Sequence, residues 1–195
     1  MGKPIIISKN IQDTLAGCLL VATPQLQDDF FHHAVVYMCS HNQEGAMGVI
    51  VNAPVEKISI NDILDQMQLG LRAGDRKLPV LFGGPVEAHR GFLMHNGEYQ
   101  QESAISARDG ITVTANSAVL TGWLAGDFPA SMLLALGYSG WTAGQLESEI
   151  ESGSWVVVPA TQHLLFDTPH EAKWDLAIAS LGFDMGNFSS TVGHA

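Results

Sequence analysis

Two groups of residues have the types and spacing for chemistry. The first is His33, Cys39 and His41 in the run "HHAVVYMCSH". Imidazole nitrogens and thiolate sulfur ligate Zn or Fe, and on a strand these three positions share parity and face one side. Their spacing argues against a shared ion. His33 and Cys39 stand six residues apart, about 20 Å along an extended chain, whereas Cys39 and His41, about 7 Å apart, would need a third ligand from elsewhere. His89 and His95 lie across an expected turn. The expectation is no bound metal and no cofactor.

The second group is the glycine turn "GGPVEAHRG". Gly83 and Gly84 permit backbone geometries closed to other residues and the close approach of another group. Their N–H groups could form an anion nest, with Glu87 and Arg90 beside it and Asn52 at the end of a neighbouring strand. Asn52, Gly83, Gly84, Glu87 and Arg90 are therefore the candidate ligand- or partner-binding residues. The alternative is a tight connection whose glycines merely turn the chain. Backbone leaving a sheet usually reaches solvent, so Gly83–Arg90 is expected at the mouth of a surface groove near Asn52.

A third match is deceptive. Leu15-Ala16-Gly17-Cys18 has the form of a lipoprotein cleavage signal. Such a signal needs 7–15 continuous apolar residues before it, but Ile5-Ile6-Ile7 is followed by Ser8, Lys9, Asn10, Gln12, Asp13 and Thr14. The segment reads better as a buried strand with an unmodified Cys18. No run of about 18 apolar residues offers a membrane span. A chain that stays in the cytoplasm, away from membranes, is the expectation.

The elements that must position these residues follow from periodicity. Strands are expected at "GCLLVAT", "HHAVVYMCS", "AMGVIVNAP", "PVLFGGPV", "RGFLMH" (paired with part of "AISARDGITVT"), "ASMLLALGYSG" and "SWVVVPA". Ser59 with Asp62 caps a helix whose apolar face holds Ile60, Ile63, Leu64 and Met67. A second helix covers 117–125, and Thr142 with Gln145 opens a third. Thr168, Pro169 and Glu171 form a helix start, Trp174, Ala177, Ile178 and Leu181 its apolar stripe, and Gly182 its end. Glu147, Glu149 and Glu151 read as a solvated helix face, and Trp141 and Trp155 as core or interface anchors. Strands and helices do not alternate regularly, which points to α+β. The 195 residues suit one domain, with less ordered ends at 1–14 and 187–195.

Charge narrows the partners. Nine basic against 20 acidic residues give a net charge of −11, and nucleic-acid binding rests mostly on Lys and Arg contacts. The nearest approach to a basic cluster, Arg72, Arg76 and Lys77, also contains Asp75. Direct DNA or RNA binding is not expected. Charged residues make up only 15%, against about 25% in typical domains. That shortage points to broad buried surface, an interface between copies of the chain included. Two cysteines do not make a disulfide scaffold. No G-x-S-x-G elbow, phosphate loop, G-x-G-x-x-G after a strand or H-E-x-x-H is present, so no catalytic residue is assigned.

Several stretches occur together in one order: "GCLLVATPQLQDDFFHHAVVYMCSHNQEGAMGVIVN", "FGGPVEAHRGFLMH", "LALGYSGWTAGQLESEIESGSWVVVPA" and "LFDTPHEAKWDLAIASLGFD". In this the chain resembles the YqgE/AlgH family of small bacterial proteins, from about Leu15 to about Asp184. The resemblance implies a compact structure with a curved, largely antiparallel sheet and flanking helices, and makes Leu15–Thr23 the first core strand. It brings no activity or cofactor with it. The family name carries a regulator-of-alginate label, which implies a transcriptional role. With no basic recognition helix in view, such a role would act through a protein partner. The second function class left open is a small-molecule binder or enzyme using the Gly83–Arg90 turn.

Overall fold

The computed structural model describes residues 14–96, 104–127 and 131–182; the expected less ordered ends fall almost entirely outside them. Strands β1 (Cys18–Ala22), β2 (Val35–Asn42) and β3 (Gly45–Ile50) come first, then helix α1 (Ile60–Gln66). Next come β4 (Val80–Phe82), β5 (Val86–Asn96), β6 (Ala104–Arg108), β7 (Ile111–Thr114) and helix α2 (Ser117–Ala125). The chain closes with β8 (Met132–Thr142), α3 (Gln145–Glu151), β9 (Trp155–Pro159) and α4 (Lys173–Ala179). The strands form one curled sheet in the order β6-β7-β5-β8-β3-β2-β1-β9, antiparallel throughout, with β4 joining β8 as the single parallel pair. The fold is α+β.

The central strands are apolar on both faces because both faces are covered. Leu19, Val21, Val35 and Tyr37 face an inner core that Trp174, Ala177 and Ile178 of α4 close. The alternate residues Leu20, Ala22, Val36 and Met38 face the other side, where Trp141, Leu146 and Trp155 cover them. At the far end Leu93, Leu134 and Met132 pack beneath α1 and α2 with Ile63, Leu64 and Leu120.

Local chemistry sets the element ends. Ser59 accepts from the Asp62 N–H while Asp62 accepts from the Ser59 N–H, the expected capping box. Asn116 caps α2, and Gly126 ends it in the left-handed region. Two starts differ from expectation. Gly144, not a side-chain cap, opens α3, and Gln145 instead accepts from the Thr142 N–H and hydroxyl. Thr168 closes a π-helical turn over His163–Asp167 by donating its hydroxyl to the His163 carbonyl. A short 3₁₀ turn, His170–Ala172, then leads into α4. The T-P-x-E pattern therefore ends one turn as well as preceding the next.

The glycine turn is a crossing. Segment 83–85 leaves β4 and passes over β8 at Gly137, reaching the strand's other flank. There Val86 pairs with Tyr138, and Gly91 with Leu136. Five residue steps on β5 oppose two on β8, so residues 87–90 bulge outward, with Glu87 in the left-handed region at φ 46°. His89 and His95, expected on either side of a turn, belong to this one long strand.

Candidate functional site

The loop between β1 and β2 is held by one carboxylate. Asp28 accepts from the Phe30 N–H at 2.8 Å and the Phe31 N–H at 3.2 Å, and its carbonyl accepts from the His32 N–H at 3.0 Å. This Asx-type turn sends two adjacent phenylalanines in opposite directions. Phe31 turns inward, 5.6 Å from the Trp155 ring and 6.3 Å from that of Trp141. Phe30 turns outward, stacked on Phe82 at 5.7 Å and 54% exposed.

The loop then bends at His33, a non-glycine residue at φ 55°. Asn52 fixes that bend. Its amide donates to the His33 carbonyl at 2.9 Å and its oxygen accepts from the Val35 N–H at 2.8 Å. The His33 ring is sandwiched between His32 and Trp174, with centroids 4.0 Å away on each side. The Trp174 indole donates to the Ala22 carbonyl at 2.7 Å. Burial, then the His32 imidazole beside it, hold His33 below the usual histidine range. These groups enclose a cleft of about 390 Å³ between the loop and the start of α4, with His170, Glu171 and Asp175 on its far wall.

Lys173 lies beneath this wall. Its Nζ donates to the Leu165 carbonyl at 2.6 Å and the Val51 carbonyl at 3.1 Å, and sits 3.2 Å from His170 Nδ1. Two carbonyls take N–H groups of the amine, and His170 Nδ1, which also lies 3.3 Å from the Val51 carbonyl, is within reach of the third. Burial pulls the amine down to about 8. At 1% exposure it straps the π-helical turn to the end of β3 and is closed to substrates. The thiols are no better placed as nucleophiles. Burial pushes Cys39 up to about 12 and raises Cys18.

The five candidate residues separate in space. Asn52 lines the cleft just described. Gly83 and Gly84 are buried, and the Gly83 N–H is taken by the Leu136 carbonyl at 2.7 Å. A Cβ on Gly83 would lie 2.3 Å from the Gly137 oxygen, and one on Gly84 2.2 Å from the Tyr138 carbonyl carbon. Both glycines thus lie at the close backbone crossing with β8. Glu87 and Arg90 form an exposed pair at 2.9 Å on the bulge, with the guanidinium 5.3 Å over the Phe92 ring. Arg90 borders a different cavity, one that neither Glu87 nor Asn52 lines. Arg90→Ala is expected to change stability by about 0.5 kcal/mol or less, and Trp174→Ala to cost about 3–5 kcal/mol. Urea denaturation of both variants checks the contrast.

The parity of His33, Cys39 and His41 does not survive either. His33 precedes β2, and the strand bulges between Met38 and Ser40. His41 instead bonds Glu147 at 3.0 Å and accepts from the Leu15 N–H at 3.1 Å. Among the described residues no three His, Cys, Asp or Glu side chains gather to hold a metal. Glu149, expected to face solvent, accepts from both buried indoles, Trp141 at 2.9 Å and Trp155 at 2.8 Å. Sequence reasoning passed over Phe30 and Lys173. Asp28 two residues before a Phe-Phe pair was the available signal for the first. The second had none, because its acceptors are backbone carbonyls distant in sequence.

Comparison with known proteins gives one consistent result. A family model described as AlgH-like matches residues 19–186. A UPF0301 protein of Methylobacterium nodulans is 42% identical over 191 residues, covering 93% of this chain and 90% of its own. One of Rhodospirillum rubrum is 40% identical over 192 residues, covering 98% and 100%. The solution structure of the AlgH protein from Pseudomonas aeruginosa matches with a TM-score of 0.76 at 31% identity, over 97% of this chain and 100% of that one. A Corynebacterium diphtheriae protein shares the fold, with a TM-score of 0.69 at 16% identity over 95% of each chain. Among the described residues no helix is long and apolar enough to cross a membrane.

Proposed function

This chain belongs to the AlgH-like family, and from that premise we propose that it is a non-enzymatic cytoplasmic protein that works by binding another protein. Its contact site is the cleft beside Phe30, and any influence on transcription passes through the bound partner.

The observation that carries this reading is Phe30 itself, an aromatic ring more than half exposed on a loop that its own hydrogen bonds make rigid. Preorganised aromatic anchors are the usual centres of protein interfaces, because their ordering cost is met before binding. The Phe31 ring, locked between two tryptophans, keeps the loop from folding Phe30 away. The cleft chemistry favours recognition over reaction. Its walls are aromatic and imidazole rings with the Glu171 and Asp175 carboxylates on the far side, and its amine is sealed below. The acidic balance of the chain supports a protein rather than a nucleic acid as partner.

Phe30→Ser is the test. Burying such a ring contributes about 1.5–3 kcal/mol, so the variant should weaken partner binding at least tenfold, about 1.4 kcal/mol, with its unfolding curve little changed. Quantitative co-purification from the native cell, wild type against variant, reads this. Equal recovery of every co-purifying protein by both would remove Phe30 from the contact.

A further inference from the structure

A second cavity shares no lining residue with the Phe30 cleft. It measures about 470 Å³ and opens between α1, α2 and strands β5 and β8. Leu93, Leu134 and Leu136 line it from the strands, Ile63 and Met67 from α1 and its end, and Leu120 from α2. Four polar side chains border it: Gln66, Ser117, His89 and Arg90. His89 and Arg90 come from the bulge of β5, and no carboxylate is among the lining side chains, in a chain with 20 acidic and nine basic residues. Glu87, outside the lining, engages one guanidinium nitrogen of Arg90, Nη1. A guanidinium carries five N–H donors, enough to hold a second carboxylate beside the first. The Phe92 ring beneath Arg90 helps fix its position.

We propose that this cavity binds a small amphipathic carboxylic acid, its aliphatic chain among the leucines between α1 and α2 and its carboxylate on Arg90. The volume lies in the range of small-molecule sites, which pair apolar walls with a few placed polar groups. The bulge now has a reason to exist. It lifts Arg90 out of the β5 ladder and sets it at the rim of an apolar chamber. The proposal is independent of the protein-contact reading, because it uses a different cavity and none of the Phe30 cleft residues.

Calorimetric titration with octanoate, decanoate and 1-decanol, all below their aggregation limits, tests it on wild type, Arg90→Gln and Ala115→Phe. Ala115 is an exposed residue on the cavity wall, so its enlargement fills the chamber without entering the core, and circular dichroism checks that each variant is folded. Decanoate should bind saturably, about fourfold tighter for each added methylene, the about 0.8 kcal/mol of a buried CH₂. Arg90→Gln should weaken decanoate tenfold or more and leave 1-decanol unchanged, while Ala115→Phe should abolish both. The methyl signals of Leu120 and Leu136 should shift on titration. No saturable binding, equal binding of decanoate by wild type and Arg90→Gln, or full retention in Ala115→Phe would each overturn the proposal.

Discussion

Gly137→Ala should come close to unfolding the protein. Gly137 sits where segment 83–85 crosses β8, at φ 75°. An alanine Cβ would lie 2.3 Å from the Gly84 oxygen, 3.0 Å from the Val86 oxygen and 3.2 Å from the Ala88 Cα. All three are backbone atoms, so no side chain can rotate away. The crossing is also bonded, through Gly83 N–H to the Leu136 carbonyl and Ile50 N–H to the Gly83 carbonyl at 2.9 Å. Moving it apart would strain β3, β4 and β8 together. The left-handed backbone costs about 1–2 kcal/mol and overpacking about 1–3 kcal/mol or more, against a total stability of about 5–15 kcal/mol for a domain. Gly144→Ala is the matched control. Gly144 has φ 74° and nothing within 4 Å of the added carbon, so it carries the backbone cost alone. Urea denaturation should show Gly137→Ala losing at least twice what Gly144→Ala loses. Equal losses would mean that the crossing relaxes freely.

Glu149→Ala should be the most damaging change on the surface of α3. Its Oε2 accepts both indole N–H groups and its Oε1 accepts from Gln145 at 2.9 Å. Trp141 and Trp155 are 7% and 2% exposed, and Glu149 is the acceptor of both N–H groups. A buried donor left unpaired costs about 1–3 kcal/mol, which makes the loss about 2–6 kcal/mol for the pair. Glu149→Gln should fall between, since its amide oxygen still accepts but without the charge that strengthens both bonds. The effect should reach the contact loop, because Phe31 packs on both indoles and carries Phe30 beside it. Tryptophan fluorescence during denaturation measures the stability. A Glu149→Ala curve matching that of wild type would show that the indoles find other acceptors.

The sheet was legible because its strands are apolar on both faces and punctuated by turns. The α1 capping box was legible because Ser59 and Asp62 bond each other across three residues. What remained hidden depends on pairs distant in sequence. Nothing local tells that Gly83 and Gly84 pass over Gly137, with a neighbouring strand in the space a Cβ would take. Glu149 looked solvated because the spacing of Glu147, Glu149 and Glu151 does not reveal two tryptophans folding over one of them. Asn52 bonds partners that no strand pattern reveals. Those partners are His33 and Val35, while Arg90 borders another cavity. The bulge at Cys39 broke a parity that any strand reading assumes.

Asn52, the glycine pair and the Glu149 fork each make contacts to backbone or core groups. Among the large apolar side chains of the described residues, Phe30 is the one left more than half exposed.

Site-specific photo-crosslinking in the native cell tests its role most directly. A photoreactive phenylalanine analogue at position 30 should yield a discrete covalent adduct with one protein. The same analogue at Leu176, another exposed apolar side chain at 48%, should not. An adduct at position 176 with none at position 30, or none at either, would contradict a contact centred on Phe30.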